Sequence, residues 1–164
     1  MPQKEKLAPP LDTAAGLILT LTALSGEFPT TLVSRLPGGD AYKTKVIKRL
    51  KKDGLLRTYY ADRLRGFRLT ATAKKLLLES WPNQFGPYLT GRTETNMLKS
   101  EPLRRLRLHR MAEVLVTMYN AGVSVFPWQK PIVFGTVPPP DDTWIEQPAY
   151  YSSREVKEIG PQRD

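Results

Sequence analysis

The chain contains no cysteine in 164 residues. That excludes a disulfide framework and any thiolate-held zinc or redox site, and it fits a reducing compartment. Histidine is almost absent as well: the single His109 leaves no second imidazole for metal or acid–base chemistry. Long apolar runs are missing, since a stretch such as LILTLTAL falls far short of the roughly 20 residues that a membrane-spanning helix needs. MPQKEKLAPP has no apolar stretch ending in a small-residue cleavage site, so a soluble, cytoplasmic protein with no membrane partner is expected. No P-loop, dinucleotide fingerprint or nucleophile elbow occurs, and the expectation is a protein that is not an enzyme and carries no cofactor.

The most informative shortage is local. Between Asp40 and Lys75 there are only three acids, all Asp, against twelve Lys and Arg. This window alone carries the net charge of +9 that the whole chain carries, so everything outside it balances to neutrality. A confined excess of one sign localises a potential that a polyanion can use. The apolar residues inside the window are spaced for packing, which makes it a basic surface on a folded module and not a basic tail.

Asp12 stands as an N-cap before an almost wholly apolar helix in which Leu17, Ile18, Leu21 and Leu24 share the core, and Gly26 stops it. Pro29 suits the first turn of a short second helix, TTLVSRL, ended by Pro37, Gly38 and Gly39. Asp40 then caps a third helix, 41–53, with Val46, Ile47 and Leu50 facing the core, the Lys43 stem at their edge, and Gly54 just past its end. After Gly54 the period turns extended: LLRTYY, a polar turn ADRLRG and FRLT read as a short hairpin. Thr70 or Thr72 caps a fourth helix that Pro82 ends. Residues 83–101 read as a polar linker. A long helix follows from Pro102 to Ala121, with Leu103, Leu106, Met111, Val114, Leu115 and Met118 as its apolar stripe and Leu108, Ala112 and Tyr119 widening it. VSVF and IVFGTV read as short strands, and Ser152 with Glu155 as the capping box of a terminal helix. The predicted architecture is mainly α with a β-hairpin, an α+β fold. Its units are a compact domain over 11–82, the linker, and a small irregular α/β unit over 102–164.

DNA binding needs cations that reach phosphates, which set register and affinity, and a presented edge that reaches bases. On the third helix, Tyr42, Thr44, Lys45 and Lys48 are candidates for base edges and Lys51 and Lys52 for phosphate, with Arg49 at the flank of that face and Lys43 at the core edge as further DNA-binding candidates. The hairpin adds Arg57, Arg63, Arg65 and Arg68, suited to a narrow minor groove. Against this stands the ordinary reading, a solvated lysine-rich face, which the adjoining arginine-rich hairpin makes the weaker one. Arg104, Arg105, Arg107 and Arg110 form a second basic cluster. Glu155 and Lys157 make an E-x-K pair without a partnering acidic strand.

The stretch VIKRLKKDGLL followed by RGFRLTATAKKLL resembles the winged helix-turn-helix superfamily over Leu17 to Leu78. With LRRLRLHRMAEVLVTMYNAG and YYSSREVKEI added, the chain looks like replication-relaxation-type proteins of bacterial plasmids and integrative elements. The resemblance implies a sequence-preferring binder of double-stranded DNA in mobile-element replication or maintenance, or in transcription regulation, with a C-terminal α/β unit related to nuclease folds. The chain stops soon after SREVKEI, where such a unit needs more strands. The long helix is then either a homodimer interface over 102–121 or the core helix of the C-terminal unit. Two rival functions remain: a winged-helix module that docks an acidic protein, and a vestigial nuclease.

Overall fold

The computed structural model of the chain describes residues 7–89 and 100–126. Two compact units divide the chain, Met1–Val116 and Thr117–Asp164. Among the described residues the protein is mainly helical with one small antiparallel sheet of three strands. No described helix is long and apolar enough to cross a membrane.

Helix α1 (Ala14–Ser25) forms the centre of the first unit and is buried on nearly every side. The expected cap, Asp12, is displaced by one residue: Thr13 Oγ1 accepts from Gly16 N at 3.1 Å. Of the three buried hydroxyls in this helix, those of Thr22 and Ser25 donate to the carbonyls of Ile18 and Leu21 one turn back. Gly26 closes the helix at φ +83°, a conformation that glycine adopts without steric cost.

The chain then forms strand β1 (Phe28–Pro29) and a 3-10 helix over Thr30–Arg35, where a short α-helix was expected. Helix α2 (Asp40–Lys52) begins one residue early: Gly39 is the cap position, and Asp40 instead pairs with Lys43 Nζ at 2.9 Å. Ile47 and Leu50 are buried while Val46 is half-buried. Strands β2 (Leu56–Ala61) and β3 (Leu64–Leu69) form the hairpin. Its turn is two residues and not six: Asp62 and Arg63 both take positive φ, 51° and 61°, the type I′ geometry that matches strand twist. Strand order is β1-β3-β2, so β1 is a third strand that sequence alone did not predict.

Helix α3 (Ala71–Ser80) is capped by Thr70, whose Oγ1 accepts from Ala73 N at 3.1 Å. Residues 83–89 of the expected linker form, with Pro82, helix α4 (Pro82–Leu89). Pro82 occupies a first-turn position where a missing N–H costs nothing. Phe85 is fully buried, and α4 packs on α1 and α3; that burial outweighs the break that Pro87 would impose in an isolated helix.

Helix α5 (Pro102–Asn120) ends one residue short of its expected span and keeps only part of its expected apolar face inward, Ala112 and Leu115. Arg105, Ala112, Leu115 and Val116 are its buried residues, whereas Leu103, Leu106, Met111 and Val114 of the expected stripe are exposed. In the second unit, Val123–Phe126 make no strand: Ser124 Oγ accepts from Phe126 N at 3.2 Å and holds a bend. IVFGTV, the terminal helix, Glu155 and Lys157 lie outside the described residues.

Candidate functional site

The two faces of the hairpin have opposite fates. Cross-strand pairing puts Thr58, Tyr60, Arg65 and Phe67 on one face and Arg57, Tyr59, Gly66 and Arg68 on the other. The second face is drawn onto Glu27, which is fully buried. Arg68 Nε donates to Glu27 Oε2 at 2.7 Å, Arg105 donates to Oε1 at 2.7 Å through its terminal nitrogen, and His109 Nε2 lies 2.7 Å from the same Oε1. A carboxylate only accepts, so Nε2 carries the hydrogen in that contact. Burial pushes the Glu27 carboxyl up, but hydrogen bonds from His109, Arg105 and Arg68 outweigh it and lower it from 4.5 to about 2. Tyr59 lies between the two guanidiniums, 3.8 Å from Arg68 and 4.6 Å from Arg105. Arg105 also donates to the carbonyls of Ala61 at 2.6 Å and Leu64 at 2.9 Å, the residues flanking the hairpin turn. The tip of the hairpin is thus fastened to α5.

Two of the expected DNA-contacting residues are corrected by this packing. Arg68 is buried against Glu27 and has no free face for a phosphate. Lys43 is buried too: its ammonium donates to the carbonyls of Ser34 at 3.2 Å and Leu36 at 2.9 Å and pairs with Asp40. It ties the end of the 3-10 helix to the start of α2. Both cations are spent on structure because carbonyls and carboxylates that lack water must be matched inside.

The other ten expected residues are exposed: Tyr42, Thr44, Lys45, Lys48, Arg49, Lys51 and Lys52 on α2, and Arg57, Arg63 and Arg65 on the hairpin. Arg49 is held by Asp53 at 3.0 Å. Among the described residues no carboxylate pairs with Lys45, Lys48, Lys51, Lys52, Arg57, Arg63 or Arg65. Thr44, Lys48 and Lys51 share one stripe of α2 by their spacing. That row leads into an open cleft of about 360 Å³ lined by Thr30, Lys51, Thr58, Tyr60, Arg65 and Phe67. Lys51 Nζ sits 5.1 Å from the Phe67 ring centre and Arg65 lies 5.0 Å over Tyr60. Both cations are exposed, and no acid lines the cleft. Two cations and no acid give the cleft the chemistry to accept an anionic oxygen.

Not all exposed cations converge there. Lys45 and Arg49 line a separate, more apolar hollow with Leu7, Pro9 and Asp53. Arg57 stands on the ribbon face opposite Arg65, and Arg63 occupies the turn. The residues that sequence reasoning missed are Glu27 and the structural role of Arg105. The legible signal for Arg105 was its spacing from Ala112 and Val116, which puts all three on one helix face. Comparison with family models, curated proteins and solved structures finds no match to this chain.

Proposed function

We propose that this chain is a double-stranded DNA-binding protein of winged helix-turn-helix type, in which α2 enters the major groove and the hairpin rests on the adjacent backbone or minor groove. The observation that carries the reading is the acid-free cleft at the α2–hairpin seam, where the uncompensated Lys51 and Arg65 converge. Thr44 and Lys48 lie on the row leading from it and serve as base-edge candidates, together with the exposed Tyr42. Lys45 and Lys52 extend the phosphate contacts outward. The order of elements, with α1, the 3-10 helix and α2 followed by the hairpin, supports the winged-helix reading. A role in mobile-element replication or maintenance, or in transcription regulation, follows from that resemblance.

The experiment is a salt titration with a pool of mixed duplexes. Each phosphate engaged contributes about −0.9 to the log–log slope, so a slope of roughly −4 or steeper is expected. A slope near zero, or equal loss of affinity on removing any exposed cation of the chain, overturns the reading. Capture of an acidic protein by α2, lost in the Lys48→Glu variant while duplex affinity stays constant, replaces it with the protein-docking alternative.

A further inference from the structure

Helix α5 buries one face and leaves the opposite one bare. Leu103, Leu106, Met111 and Val114 are 63%, 40%, 50% and 53% exposed. Their spacing gathers them into one stripe about 16 Å long. Four large apolar side chains on one strip are more than scattered surface residues, and such a patch marks an interaction surface. Arg107 and Arg110 are exposed within the same stripe. Neither has a carboxylate partner among the described residues, whereas the nearby Glu113 is taken by Arg35 at 3.2 Å.

The arginines decide the occupant. By helical geometry they lie between the apolar side chains and not along their margins. A second copy is disfavoured: in a parallel pair each arginine meets its own copy. In an antiparallel pair centred on the stripe, Arg107 meets Arg110. Like charges facing each other across a desolvated seam repel and oppose the pairing. An anionic bilayer is disfavoured because an interfacial helix keeps its cations on the polar face and sinks only apolar side chains. Nucleic acid would engage the arginines but leave the four apolar side chains in water. An acidic amphipathic helix satisfies both, since carboxylates one turn apart reach Arg107 and Arg110 while its leucine-type side chains cover the stripe.

We propose that the outer face of α5 is the docking site for an acidic amphipathic helical segment of another protein. This surface is separate from the proposed DNA-binding face and stands without it.

The test uses the full chain and a synthetic helical peptide of about 18 residues, with Leu at i, i+3, i+4 and i+7 and Glu between, against the same peptide with Lys for Glu. The expected result is binding of the Glu peptide with Kd in the range of roughly 10–100 μM, and roughly tenfold weaker binding in Met111→Gln and Val114→Gln variants. The double variant R107E/R110E should switch preference to the Lys peptide while its duplex affinity stays that of the parent. Four results overturn the proposal. One is absence of peptide binding up to about 1 mM. Another is a dimer in sedimentation equilibrium that Val114→Gln dissolves, which assigns the face to a second copy. A third is binding to phosphatidylglycerol vesicles that the same substitutions abolish. The last is a parallel loss of duplex affinity in R107E/R110E.

Discussion

Arg105 reaches Glu27 across 78 residues of sequence, its terminal nitrogen 2.7 Å from Oε1 and its Nε between the two carboxylate oxygens at 3.1 and 3.2 Å. The same guanidinium holds both carbonyls that flank the hairpin turn. One buried carboxylate therefore sets the position of the hairpin relative to α5, and the hairpin carries Arg65 of the proposed DNA-binding face.

The Glu27 carboxyl titrates at about 2 in the folded protein, below its ordinary 4.5. A depressed folded value stabilises the fold fully above the ordinary value, and that stabilisation fades as pH falls from about 4.5 to about 2. Its size is on the order of 3 kcal/mol. Glu27→Gln should lower stability at neutral pH by about 3–5 kcal/mol, since it leaves Arg68 and Arg105 buried without a counter-charge. Chemical denaturation across pH 2–7 checks both, and a parent and variant that lose stability equally between pH 4.5 and 2 contradict the assignment.

Arg105→Lys keeps the charge but cannot reach Glu27 and both turn carbonyls together, because an ammonium is a point donor without the guanidinium fork. Amide exchange in β2 and β3 should accelerate in this variant while α3 stays protected. Duplex affinity should drop by roughly three- to tenfold through the displaced hairpin. Unchanged exchange at the hairpin would remove Arg105 as its anchor.

The hairpin turn separates stability from charge. Arg63 sits at φ 61°, so Arg63→Gly relieves strain and should stabilise the protein by about 1 kcal/mol while removing a tip cation. Gly66→Ala acts in the opposite direction: an added Cβ meets the Glu27 side chain, and a loss of about 2 kcal/mol is expected. Thermal unfolding of the two variants should shift Tm in opposite directions.

The basic window sorts into two classes by mutation. Lys51→Ala and Arg65→Ala should each flatten the salt slope of duplex binding by about 0.9 with little change in Tm. Lys43→Ala and Arg68→Ala should lower Tm, because each strands buried acceptors. Arg57→Ala, on the far face of the ribbon, should do neither. A flattened slope in Lys43→Ala would contradict its burial.

Local signals were legible where one residue type does one job. Thr70 caps α3 because a threonine followed by a helical pattern offers its oxygen to the free N–H groups whatever surrounds it. Gly54, at φ 71°, closes α2 for a similarly local reason. Other features depended on contacts that the residue pattern did not carry. Thr13 supplanted Asp12 because its hydroxyl also donates to Pro10 O at 2.6 Å, which places Oγ1 before Gly16 N. Helix α4 was hidden by Gly86 and Pro87, and only the place that α1 and α3 offer to Phe85 makes it worth forming.

By itself the sequence determined the order of α1, α2, the hairpin, α3 and α5 and the confinement of positive charge to residues 40–75, because periodicity, caps and composition act within a few residues of themselves. Tertiary structure decided which cations face water. Residue type alone does not separate Lys43, Arg68 and Arg105 from Lys48, Arg65 and Arg107. They are internal because a buried cation is tolerable only where acceptors already wait, and those acceptors, Glu27 above all, are assembled by segments far apart in sequence. The same choice turned α5 so that Arg105 went inward and Leu103 and Leu106 out, which left the stripe from Leu103 to Val114 open to a partner.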